Sequence, residues 1–309
     1  MSAPTRLESR DDGRVSPPPR RWTRDTIETQ VFRILRWVVI AALLVVTLFP
    51  FYYMLLLSVR SLDEVLLDPG ALWVPPNELD LGTYAEVLSS QESGGQGFLQ
   101  FMRNSALVAL GTVLLTLLVS LPGAYAVSRL RFFGHRQVSA LFLAVYLFPS
   151  ILLAVPLFVF FSRVGLRGQL AGLLLVYVSQ IVAVSIYMLR NYFDTIPVSL
   201  EEAAAIDGCS RLGVMWRISL PLAMPAIMAN ALFIFMIAWN EFLFALLFLL
   251  EERDSWTVSL GLSQLSGSIE VPTTVLMAGS VIITVPIIVV FFATEKLLVE
   301  GLTAGAEKG

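Results

Sequence analysis

Residues 199–221 read Ser-Leu-Glu-Glu-Ala-Ala-Ala-Ile-Asp-Gly-Cys-Ser-Arg-Leu-Gly-Val-Met-Trp-Arg-Ile-Ser-Leu-Pro, a polar island in a chain otherwise apolar enough to live in lipid. Ser199 followed three residues later by Glu202 has the spacing of a capping box, which predicts a helix start. Ala203, Ala204 and Ala205 are strong helix formers with little side-chain bulk. Asp207-Gly208 ends the run, because glycine accepts the left-handed conformation that closes a helix. The expected product is a rigid helix of about two turns, too short to hold its shape alone in water. It needs a groove, in its own chain or in a partner. Arg211, Arg217 and Ile218 continue as a second amphipathic piece, and Leu220-Pro221 leads into the next apolar run.

The rest of the chain sets the class. Hydrophobic residues make up 56% of it and its mean hydropathy is +0.76, the composition of an integral membrane protein. A soluble domain of this length would expose far too much apolar surface. The formal net charge of −3 leaves no basic footprint for nucleic acid. One Cys and one His exclude an internal disulfide framework and a Cys/His metal site, so no metal is expected.

Crossing a bilayer takes about 20 apolar residues, and six runs reach that length: 37–57, 105–126, 138–161, 170–189, 223–249 and 275–294. The predicted fold is therefore all-α, a polytopic membrane protein of six transmembrane helices. Residues 1–36 read as a flexible tail rich in Pro and Arg, residues 37–295 as the membrane domain, and residues 296–309 as a second tail. The leading segment is too long for the n-region of a signal peptide, and no small-residue cleavage site follows it. Pro50, Pro122, Pro149, Pro156 and Pro286 fall inside the runs and read as kinks, tolerated because neighbouring helices re-satisfy the freed carbonyls.

Orientation follows from the arginines. The first tail, the segment with Arg129, Arg131 and Arg136, and the segment with Arg190, Arg211 and Arg217 form the positive side. The long connection 58–103 and the loop 251–273 are poor in basic residues, and Arg163 and Arg167 are the exceptions. Both termini and the 190–222 segment are thus expected in the cytoplasm. Trp256 in the outer loop reads as an interfacial anchor.

No Gly-x-x-x-x-Gly-Lys-Ser/Thr loop is present, and neither Lys296 nor Lys308 follows a glycine. His135 and Cys209 stand in separate loops without a nucleophile motif. The chain is not expected to be an enzyme and has no catalytic set; energy for any pumping must come from another polypeptide. Within the apolar runs one polar cluster stands out, Trp239-Asn240-Glu241, about 30 Å from Pro221 along a straight helix. An aromatic ring with an amide and a carboxylate suits a polyhydroxylated solute on a substrate path. Interhelical hydrogen bonding or snorkelling to water accounts for the same residues, and both readings stay open. Asn104, Ser179, Gln180 and Ser185 read as packing glue.

Glu202-Ala203-Ala204, Asp207-Gly208, Ile218 and Leu220-Pro221 match the EAA signature of ABC importer permeases. Residues 37 to the end resemble the MalG-like permease subunits of carbohydrate ABC importers, with support from Leu81-Gly82-Thr83-Tyr84, from Ala238–Phe242 and from the last nine residues. Cys209 departs from the alanine more common there. The resemblance implies that residues 199–212 are a cytoplasmic coupling helix docking on an ATPase dimer through Glu201, Glu202, Ala203, Ala204, Ala205, Asp207, Gly208, Leu220 and Pro221. It implies that the tail, through Thr303, Ala304, Gly305 and Lys308, also contacts that ATPase. ATP and Mg would sit in the partner subunits, with no cofactor on this chain. The remaining partners it implies are a second, MalF-like permease subunit, an extracytoplasmic solute-binding protein, membrane lipid and a carbohydrate substrate, in a bacterial inner (plasma) membrane. Two other classes fit a six-span chain: an ion-gradient-driven secondary transporter, for which Glu241 is the lone deep acid, and a membrane scaffold protein.

Overall fold

The computed structural model describes residues 24–268 and 271–306, and every regular element among them is helical. The described residues up to Tyr52 and those from Tyr53 onward form two compact units. The first unit is built on α1 (Arg24–Ser58), a 35-residue helix with Pro50 near its end and apolar exposed side chains from Val31 to Phe51. It begins well before Trp37, because no helix breaker stands between Arg24 and the apolar run.

In the second unit the connection that follows α1 carries two short helices, α2 (Leu62–Leu67) and α3 (Gly82–Leu88). Then come α4 (Phe98–Arg129), α5 (His135–Leu147), α6 (Ala154–Arg163) and α7 (Leu170–Phe193). The polar island gives α8 (Val198–Ile206) and α9 (Arg211–Val214), a π-helical turn at Met215–Ser219, and α10 (Leu220–Leu222). The chain closes with α11 (Met224–Asn240), α12 (Leu243–Leu249), α13 (Val258–Ser266) and α14 (Thr273–Ala306).

Among the described residues, four helices are long and apolar enough to cross a membrane, within α1, α4, α7 and α14. A fifth passes that test only as a pair, Arg211–Leu222 with Met224–Asn240, bent by 75°. The apolar run 138–161 is not one helix. It breaks at Phe148-Pro149, where the proline holds Phe148 extended (φ −75°, ψ 128°) and a 3₁₀ turn at Ser150–Leu153 restarts the chain. The run 223–249 breaks at Glu241-Phe242. Hydropathy alone reads through both breaks, since the flanking residues are as apolar as a continuous span.

The helices pack through small residues, as membrane helices do where burial from water supplies no drive. On α4, Gly111 lets Leu174 of α7 so close that a Cβ would sit 2.5 Å from its Cδ1, and Gly123 faces Ile186 at 3.3 Å. Between α4, α7 and α11 lies a buried polar chain: Asn230 Nδ2 donates to Ser185 Oγ, and Ser185 Oγ donates to Ser120 Oγ at 2.8 Å. One core cluster includes Phe98, Phe101, Tyr177, Trp239 and Phe248. A second, of Ile186, Leu189, Phe193, Met215, Leu220 and Ile227, lies at the end of the bundle that carries α8. Trp256 belongs to the first cluster and is only 8% exposed, so it is not an interfacial anchor. Its indole donates to Leu249 O at 3.0 Å, and Arg253 covers its ring at 5.0 Å. Asn104 fixes the same loop by donating to Asp254 O at 2.7 Å and Trp256 O at 3.0 Å.

Candidate functional site

The helix α8 does not start on the expected capping box. Its N-cap is Pro197, and Ser199 lies inside the first turn, where it makes no capping bond. Proline fixes φ at −59° and has no N–H of its own to satisfy, so the helix starts after it without a side-chain cap. The C-terminal end forms as expected. Gly208 sits at φ +87°, its N–H reaches Ala205 O at 3.1 Å, and Cys209 N–H reaches Ala204 O at 3.0 Å. Those two bonds satisfy carbonyls the helix end would leave unpaired. Ser210 then caps the next element by accepting from Gly213 N at 3.2 Å.

The two glutamates of α8 have opposite surroundings. Glu202 is exposed, together with Ala203, Ala205, Asp207 and Ile206, the last at 87%. Glu201 is 8% exposed and, with Ala204, faces the bundle. Its Oε1 accepts from Arg129 Nε at 2.8 Å and from Ser219 Oγ at 2.9 Å, and its Oε2 accepts from Tyr125 OH at 3.3 Å. Arg129 also donates to Ile196 O at 2.8 Å and to Ser128 Oγ at 3.1 Å, so its guanidinium is engaged on three sides. The two charged side chains are 9% and 10% exposed. A buried carboxylate is tolerable only when paired and hydrogen-bonded, and this one is both.

Leu220 is buried in the second core cluster, whereas Pro221 is exposed at the start of α10. Here the chain turns through 75° before α11. Between α8 and the end of α4 lies a cleft of about 810 Å³, whose wall includes Arg129 and Glu201 as well as Arg131, Phe132, Glu202, Cys209 and Arg211. Ile206, Leu212 (70% exposed), Trp216 (64%) and Phe133 (104%) give this end of the unit bare apolar surface.

Trp239, Asn240 and Glu241 are adjacent in sequence but face different surroundings. Trp239 is buried, stacks on Phe235 at 5.4 Å and donates to Ile283 O at 3.0 Å. Asn240 is exposed and donates back to Met236 O at 2.8 Å. Glu241 sits in the break between α11 and α12. It accepts from Phe244 N at 2.9 Å, Ala245 N at 3.2 Å and Tyr177 OH at 2.6 Å. The carboxylate thus supplies the acceptors that the open start of α12 requires. Thr303, Ala304 and Gly305 fall in the backbone of the last turns of α14, while their side chains, and Lys308 altogether, lie outside the described residues.

Sequence reasoning missed Arg129, Tyr125 and Ser219 as members of the site. Arg129 entered there only as one more positive charge. The available signal was an arginine closing a long apolar helix with a tyrosine one turn earlier, which carries no partner information until the fold brings residue 201 alongside.

Residues 118–303 match the family model described as binding-protein-dependent transport system inner membrane component. The chain is 37% identical over 268 residues to the trehalose/maltose transport system permease protein MalG of Thermococcus litoralis, covering 86% of this chain and 93% of that relative. It is 35% identical over 271 residues to the inner membrane ABC transporter permease protein YcjP of Escherichia coli, covering 87% and 94%. It is 34% identical over 275 residues to the sulfoquinovosyl glycerol transport system permease protein SmoH of Agrobacterium fabrum, covering 89% and 94%. The fold is similar, at a TM-score of 0.75 and 23% identity over 89% of this chain and 98% of the other, to a chain in the crystal structure of a bacterial ABC transporter involved in the import of the acidic polysaccharide alginate. An EAA signature on a short helix, a bundle of apolar helices and these matches agree: the chain is a multi-pass membrane protein that belongs to the family of binding-protein-dependent transport system inner membrane components.

Proposed function

We propose that this chain is one permease subunit of an ATP-driven importer for a sugar or oligosaccharide, and that α8 is its coupling helix. The observation that carries the reading is the geometry of α8. One side is anchored to the bundle through Glu201, and the other presents Glu202, Ala203 and Ile206, which no element among the described residues covers. A two-and-a-half-turn helix in that position meets the requirements of a docking element: it is fixed at its root and bare at its tip.

The partner that covers it is an ATPase dimer, which also holds ATP and Mg, since this sequence has no phosphate-cradling loop. Closure of that dimer moves α8. Through the bend at Leu220–Ala223 the motion reaches α11, and the bundle rocks from one access state to the other. A second, MalF-like permease subunit completes the path, and an extracytoplasmic binding protein delivers the solute. Both termini and α8 lie in the cytoplasm, as the arginine distribution requires. The tail at Thr303–Gly305 and Lys308 adds a second contact to the ATPase. Asn240, exposed beside the helix break, is the residue of its cluster placed to meet a solute, with Trp239 and Glu241 holding the break in shape. Carbohydrate cargo is supported by relatives named for trehalose/maltose and sulfoquinovosyl glycerol transport.

The test is reconstitution of the complex purified with this chain into liposomes, with uptake of labelled trehalose and maltose followed with and without internal ATP. Uptake that needs ATP and survives an ionophore is expected. A chain that purifies without an ATPase, or uptake abolished by the ionophore, overturns the reading.

A further inference from the structure

We infer that Glu201 is the positioning residue that locks the coupling helix to the membrane bundle, and that Arg129 and Ser219 are the two points through which it does so. The inference rests on the coupling role of α8 proposed above and specifies where the load passes.

Three elements meet at one carboxylate. Arg129, the last residue of α4, holds Glu201 at 2.8 Å and, with another guanidinium nitrogen, Ile196 O just ahead of α8. The end of α4 therefore grips the segment on both sides of Pro197, and α8 has no freedom to swing about its own entry. Ser219, the last residue of the π-helical turn, donates to the same Oε1 at 2.9 Å. It lies four residues ahead of Ala223, where the segment Arg211–Leu222 meets Met224–Asn240 at 75°. Helix α8 is thus tied directly to the helical segment that leads into the bend, without relying on the intervening loop at Asp207–Ser210. The π-helical turn at Met215–Ser219 departs from the regular i→i−4 ladder and is the compliant stretch. The ion pair is the stiff one, since breaking it leaves a largely buried charge without its counter-charge.

The consequence is specific. Movement imposed on α8 is shared between α4, through Arg129, and α11, through Ser219. With the carboxylate neutralised, α8 still docks by its exposed face, but its motion is absorbed in the entry segment. The ATPase keeps turning over and the bundle no longer follows.

The experiment measures solute transported per ATP hydrolysed by the whole complex in liposomes, for wild type, Glu201→Gln, Ser219→Ala and the exchange Arg129→Glu with Glu201→Arg. Glu201→Gln is expected to assemble with its companions and lose about tenfold in transport per ATP, the size of a typical coupling term, with ATPase activity kept or raised. Ser219→Ala, which leaves the ion pair in place, should lose about threefold. The exchanged pair should recover part of the loss. A merely structural role lowers transport and ATPase in proportion, or lowers the amount of complex. Wild-type transport per ATP in assembled Glu201→Gln and Ser219→Ala complexes overturns the inference. If Glu201→Gln does not assemble, Ser219→Ala alone decides. Failure of the wild-type complex to couple uptake to ATP counts against the importer reading and not against the lock.

Discussion

Gly208 and Ile206 stand two residues apart, and they separate conformation from contact. At Gly208 a Cβ would meet nothing within 4 Å, so the cost of any side chain there lies in the backbone, held at φ +87°. For a β-branched residue the left-handed conformation costs about 1–2 kcal/mol or more, enough to unwind the last turn of α8. Gly208→Val should leave the amount of protein in the membrane unchanged and reduce ATP-driven uptake several-fold, read in the same liposome assay. Ile206, 87% exposed, contributes little to the packing among the described residues. Ile206→Asp is expected to change the thermal stability of the purified chain by no more than about 0.5 kcal/mol, as surface substitutions do. If α8 is the coupling helix, as proposed, the substitution should nonetheless abolish co-purification of an ATPase, because it places a charge on the docking face. Retained co-purification would place the docking surface elsewhere.

The helix breaks give the elements their shape. At Glu241 one carboxylate caps α12 and holds Tyr177 of α7, so the interruption of the apolar run is stabilised from two directions. Glu241→Ala removes the acceptor for two backbone N–H groups and a buried hydroxyl. A loss of about 1–3 kcal/mol is expected, measured as a lower unfolding temperature in detergent. At the other side of the first core cluster α13 approaches α4 through a glycine: a Cβ on Gly261 would lie 2.4 Å from the Phe101 ring. Phe101 is itself held between Phe98 and Trp256, with centroids 5.7 Å away in both cases, and has little room to retreat. Gly261→Ala should therefore destabilise by about 1–3 kcal/mol, and adding Phe101→Leu should recover part of that, since residues in contact do not add independently. Simple additivity of the two losses would show that the contact is looser than this geometry.

For the molecule as a whole the sharpest prediction concerns sidedness, and the sequence supplies its own probe. Cys209 is the single cysteine, partly exposed at the edge of the cleft beside α8. A membrane-impermeant maleimide is expected to label it in inside-out vesicles and not in intact cells. Labelling in intact cells would invert the orientation read from the arginines and remove α8 from the compartment that holds ATP.

Much of this was legible along the chain. Composition and run length place the protein in lipid, because a bilayer imposes a minimum apolar length that any reader can count. The short helix ending at Gly208 was equally plain, since its stop depends on local backbone chemistry. Its start was not: the spacing of Ser199 and Glu202 points to a cap at Ser199, whereas the helix begins after Pro197, with Ser199 inside its first turn and no side-chain cap. The breaks at Phe148-Pro149 and Glu241-Phe242 were hidden because apolar residues flank them on both sides. Glu201 and Glu202 are the clearest case. As letters they are the same residue twice; one helical step turns the first inward onto Arg129 and Ser219 and the second out to solvent. Sequence spacing specifies contacts within a turn or two of helix. A pairing across 72 residues, such as Arg129 with Glu201, exists only after α4 and α7 have packed and brought the two ends together.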